Sequence, residues 1–122
     1  MKRHIAIALS CLSAVAIGTA AQAEDKFQKL SGAQIQAKFA GMEMTDEVHW
    51  GDVFQRNGTL ITTEMGHKTN GKWRVQKDQL CLQRATEIGS GCYDVWLSGK
   101  DVQLKNKESS VPLEGVLQKP KE

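Results

Sequence analysis

The chain has 122 residues, with 16 lysines and arginines against 14 acids and a formal net charge of +2. Lys2 and Arg3 carry that excess, so the remainder is sign-balanced. A neutral, mixed-sign chain of this length allows one domain and gives no overall electrostatic drive toward nucleic acid or an anionic membrane.

Lys2, Arg3 and His4 precede an apolar run from Ile5 to Ile17, and Ala21-Gln22-Ala23 closes the segment. This is the pattern of a secretory signal peptide, residues 1–23, cut after Ala23. The run is shorter than a bilayer span and ends at a cleavage site, so no transmembrane segment is expected after its removal. Cys11 follows Ala8-Leu9-Ser10, which does not make a lipobox. Residues 24–122 are then expected to form one periplasmic or secreted domain. Its two cysteines, Cys81 and Cys92, are eleven apart and lack CxxC spacing. An even pair in an exported chain predicts a disulfide.

One helix is marked early. Ser31 and Gln34 match a capping box, Leu30 and Ile35 a hydrophobic staple, and Gly41 a stop. Ile35 and Phe39 share one face, so the helix is expected to lie against a sheet.

The rest reads as short strands. Val48 to Arg56 and Thr59 to Met65 flank Asn57-Gly58, a strong hairpin signal. A two-residue turn there pairs Arg56 with Thr59 and puts Phe54 opposite Ile61. Val48, Trp50, Phe54, Ile61 and Met65 then form a core face with Asp52 as its odd member. Asn70-Gly71 predicts a further turn before Lys72 to Gln76, and Lys77-Asp78 a turn into Leu80 to Arg84. Thr86 to Gly91 reads as a loop, followed by strands over Cys92 to Leu97 and Val102 to Lys105. Val111 to Leu117 is a last strand, which Pro112 confines to an edge. The same pairing arithmetic opposes Cys81 to Cys92 and puts Trp96 on their face, away from Tyr93. The fold class is mainly β: a small antiparallel meander, barrel or sandwich, of six to seven strands with one N-terminal helix.

No spacing supports a catalytic grouping, and no cofactor is expected. His49 and His67 lie on adjacent strands with nearby acids and are the metal-ligand candidates, although their parity points them to opposite faces. Trp50 and Trp73 read as core. Ser90, Tyr93 and Trp96, around a loop stiffened by the disulfide, are the candidate protein-binding residues.

Gly71-Lys72-Trp73-Arg74-Val75, with Asp78, Leu80, Cys81 and Cys92-Tyr93, resembles a pattern in small exported alphaproteobacterial proteins. These are lipocalin-like β-meanders with a leading helix of the Leu30-Ser31-Gly32-Ala33-Gln34-Ile35 type, mostly without assigned function. The resemblance implies the fold. A second likeness is to periplasmic C-type lysozyme inhibitors, which present a Ser-Gly-x-x-Tyr loop. Ser90-Gly91-Cys92-Tyr93 is one residue shorter, with Trp96, Gly99 and Lys100 following in similar order.

The expectation is a non-catalytic exported binding or envelope-associated protein, with a protein partner or a small apolar ligand in the periplasm. A lysozyme-type inhibitor and a metal-binding protein are the alternatives. An exposed Ser90–Tyr93 loop favours the first, converging histidines the second, and a deep apolar cavity a small ligand.

Overall fold

The computed structural model describes residues 26–121. The signal-peptide reading of residues 1–23 lies outside the described residues. In chain order the elements are β1 (Gln28–Lys29), α1 (Gly32–Phe39), β2 (Glu43–Thr45), β3 (Trp50–Phe54), β4 (Thr59–Glu64) and β5 (His67–Gln76). Then follow β6 (Gln79–Gln83), β7 (Gly91–Ser98), β8 (Asp101–Asn106) and β9 (Ser109–Gln118).

Strands β2 to β9 pair antiparallel in chain order, and β9 returns to β2. The result is a closed eight-stranded meander barrel, with β1 added beside β7. The seven strands expected from the sequence are all present. The short β1 and β2 are the additions, each too brief to show periodicity. Closure removes most free sheet edges. One free stretch lies on β9, which pairs with β2 only from Val116 to Gln118. Pro112 sits on that free stretch, as its missing N–H requires. Beside it, the Ser109 hydroxyl donates to the Val111 carbonyl at 3.1 Å and accepts from the Val111 N–H at 3.3 Å.

Alternation sends Met44, Phe54, Leu60, Trp73, Leu80, Leu82, Val95 and Leu104 inward, where they pack as one core. The helix stoppers one end of the barrel. Ser31 accepts from the Gln34 N–H while Gln34 Oε1 accepts from the Ser31 N–H, completing the expected capping box. Leu30, Ile35 and Phe39 are buried. Phe39 meets Phe54 edge-on at 5.1 Å, and Phe54 meets Trp73 edge-on at 5.6 Å. Asp78, in the β5–β6 turn, accepts from the Gly32 N–H at 2.6 Å and fixes the helix start to this end.

Two sequence expectations are corrected. The first hairpin turns on three residues, Arg56-Asn57-Gly58, with Gly58 at φ +90°. Gln55 therefore faces Thr59, and Phe54 faces Leu60 rather than Ile61. The one-residue slip leaves Trp50, Asp52 and Phe54 inward as expected but reverses β4, so Leu60 and Thr62 point inward while Ile61, Thr63 and Met65 point out. Val48, expected on the core face, precedes β3 in a loop and is exposed. Secondly, Asn70-Gly71 is no turn. The reversal occurs at Met65-Gly66, both at positive φ, and β5 runs unbroken past Gly71. Glycine is needed at 71 for another reason: a Cβ there would overlap the Gln83 carbonyl oxygen of β6. Lys77-Asp78 does form a turn, with both residues at positive φ. Cys81 opposes Cys92 directly and is disulfide-bonded to it.

Candidate functional site: the loop end of the barrel

Because every barrel strand is antiparallel to its neighbours, the connections alternate between the two ends. The helix end holds the turns at residues 55–58, 77–78 and 99–100. The opposite end holds the loops at 46–49, 65–66, 84–90 and 107–108. The large apolar side chains that stand exposed among the described residues are Val48, Met65, Ile88 and Val111. All four are at this loop end. Val48 is in the β2–β3 loop, Met65 in the β4–β5 turn, Ile88 in the β6–β7 loop, and Val111 two residues into β9.

The loops carrying them are held by their own polar groups. Asp46 Oδ1 accepts from the N–H groups of Val48, His49 and Trp50 at 2.7–3.0 Å, and Oδ2 lies 2.8 Å from His49 Nδ1. Desolvation would raise the Asp46 carboxyl, but the three N–H donors and the imidazole outweigh it. They hold the group well below the usual carboxylate range. The Thr45 hydroxyl accepts from the Glu47 N–H at 2.8 Å. Val48 is thus displayed from an ordered turn.

The 84–90 loop is fastened to the barrel interior. Arg84 Nη1 and Nη2 each donate to one oxygen of Asp52 at 2.7 Å, and Nη1 also donates to Thr62 Oγ1 at 3.0 Å. The Thr62 hydroxyl in turn donates to Asp52 Oδ1 at 2.7 Å. This explains the odd member of the β3 core face: Asp52 is fully buried with its carboxylate saturated. Burial lowers the affinity of Arg84 for its proton, but the Asp52 carboxylate more than compensates and the net shift is upward. Arg84 Nε and Tyr93 Oη both donate to the Gly89 carbonyl, at 3.3 and 2.8 Å. Ser90 Oγ accepts from the Arg84 N–H and donates to the Thr86 carbonyl, both at 2.9 Å. Ile88 is left at the tip, 86% exposed.

Among the residues singled out from the sequence, Ser90 and Tyr93 come together in shaping this loop. Tyr93 points into the barrel and is only 8% exposed. Its phenol is raised above its ordinary pKa by burial, partly offset by Arg84. Trp96 faces outward on the wall, where the Lys105 ammonium sits 4.7 Å from its ring centre. It therefore does not share a surface with Tyr93. Trp73 is core and donates to the Gln55 carbonyl at 2.8 Å; Trp50 is half-buried against the core. His49 is engaged by Asp46, and His67 opens β5 across from Glu64. No three His, Cys, Asp or Glu side chains among the described residues gather closely enough to hold a metal.

From the rim a groove of about 470 Å³ descends the outer wall of β2–β4, lined by Val48, Val53, Ile61 and Met65 with Glu47 and Lys68 at its margins. Neither the sequence pattern nor local spacing pointed to this rim, because its members lie in three separate connections and at the start of β9. The antiparallel order alone unites them. No family model matches the chain, and no curated protein or solved structure matches it either.

Proposed function

We propose that the protein is a non-catalytic, exported binding protein of the cell envelope that grips a protein partner with the loop end of its barrel. The observation that carries this reading is the confinement of Val48, Met65, Ile88 and Val111 to one end. Connecting loops are ordinarily polar, and clustered exposed apolar side chains mark contact surfaces. Each would contribute roughly 1.5–3 kcal/mol if fully buried. The Asp46 and Arg84 networks hold the loops in place beforehand, which reduces the ordering cost of association. Export is supported by the leader pattern at residues 1–23 and is in keeping with the disulfide. The closed barrel and leading helix are in keeping with the lipocalin-like exported meanders that the sequence resembles.

The alternatives draw less support. A small apolar ligand needs interior room, and the inward side chains pack against one another there. An inhibitor loop of the lysozyme-inhibitor type needs Tyr93 presented, whereas Tyr93 is buried.

Photo-crosslinking amino acids placed singly at Val48, Met65 and Ile88, and for comparison at Lys77 and Lys100, test the reading in cells. A shared adduct of the same mass from the loop-end positions, absent from Lys77 and Lys100, is expected. Adducts from the helix end alone, or equally from both ends, would contradict it.

A further inference from the structure

The overall charge balance conceals a local imbalance. The corrected register fixes which residues of β3 to β6 face outward: Gly51 and Val53; Thr59, Ile61 and Thr63; Lys68, Asn70, Lys72, Arg74 and Gln76; Gln79, Cys81 and Gln83. Three are cations and none is a carboxylate. On β5 the cations stand in one row, spanning about 20 Å at strand spacing. Lys68 is beside Thr63, Lys72 lies between Thr59 and Gln83, and Arg74 is beside Cys81. None of the three is in a salt bridge among the described residues; Arg74 donates only to Gln76, at 3.1 Å. Of the carboxylates on the flanking walls, Asp94 pairs with Lys29, while Glu43 lies over Gly51 and shares a groove with Lys68, so the cations furthest from a carboxylate are Lys72 and Arg74.

The wall is also dented here. Two depressions of about 400 and 390 Å³ meet along the row, and both are lined by Thr59, Lys72 and Gln83. Gly71, where β5 and β6 approach closely, lines the first of them.

We propose that this stripe binds an anionic polysaccharide. A single row of cations on a convex, dented wall matches one extended polyanion rather than a flat lipid surface. Hydroxyls and amides from Thr59, Thr63, Asn70 and Gln83 border the row and can hydrogen-bond sugar hydroxyls between the charged groups. No aromatic ring faces outward on these four strands, so the stacking platform that single-stranded nucleic acid uses is missing from them. The stripe meets the groove below the apolar rim at Thr63 and Lys68, but its test turns on Lys72 and Arg74 and does not depend on the reading given above.

Retention of the full protein on immobilised heparin and on polygalacturonate tests this. Two double variants that lose equal charge are compared with the parent: Lys72→Gln with Arg74→Gln, and Lys100→Gln with Lys107→Gln. The parent is expected to bind at least one of the two glycans in a salt-dependent manner. The stripe variant should weaken that binding about fivefold, in line with two exposed ion pairs, and the comparison variant less than twofold. No binding by the parent, or equal weakening by both variants, would overturn the proposal. So would tighter, Lys72- and Arg74-dependent binding to anionic phospholipid vesicles or single-stranded DNA.

Discussion

Arg84 extends from the end of β6 into the barrel and places its two terminal nitrogens 2.7 Å from the two carboxylate oxygens of Asp52 on β3. Strands β4 and β5 lie between their own strands in the sheet, so the pair bridges the lumen. Through Gly89 the same guanidinium holds the loop that presents Ile88. Interior and rim are therefore mechanically linked.

A buried pair of this kind is costly to break on one side only. Asp52→Leu or Arg84→Met alone is expected to destabilise the fold by about 3–5 kcal/mol, because each leaves an uncompensated charge. The two together should lose less than either alone. Urea unfolding of the three variants checks this; additive losses would show that the two groups do not act as a pair.

Tyr93 is the only tyrosine in the chain, so phenolate absorbance reports on it alone. Its folded pKa is raised by burial. The linked stability is fully present below the unfolded value of about 10 and is lost as pH rises through the folded one. Spectrophotometric titration should give a midpoint above that of the urea-unfolded chain. Stability should fall in the same alkaline window, and Tyr93→Phe should abolish that dependence.

The Cys81–Cys92 bond closes the β6–β7 loop at its base. Cys81→Ser with Cys92→Ser should lower stability by about 2–3 kcal/mol. Thiol titration of the native parent should find neither cysteine free.

Lys77 is held at φ +49° in a two-residue turn. A lysine there carries a left-handed penalty that asparagine largely avoids. Lys77→Asn should raise stability by about 0.5 kcal/mol in thermal or urea unfolding, leaving the Asp78 contact to Gly32 intact.

What the sequence disclosed depended on range. The capping box at Ser31 and Gln34, the Lys77-Asp78 turn and the Cys81–Cys92 opposition are local, and residue type with spacing sufficed for each. The first hairpin failed by one residue, because Asn57-Gly58 serves a three-residue turn as readily as a two-residue one. At Gly71 the need for glycine was visible, but a close approach of strands was read as a turn. Asp52 stood out as a misfit on an apolar face, yet its partner is 32 residues away on a non-adjacent strand. The apolar rim and the cationic row were further still from view. Each exists only once strand order and register are known.

The central claim, that the loop end is a working surface, is tested most directly by replacing Val48, Met65, Ile88 and Val111 together with serine. These side chains are exposed, so unfolding free energy should stay within about 0.5 kcal/mol of the parent for each site. With the fold retained, crosslinking from a probe in the neighbouring loop, at Glu47, should lose the adduct that the parent forms. A variant that still yields the parent's adduct in full would show that the exposed apolar rim is not what the partner recognises.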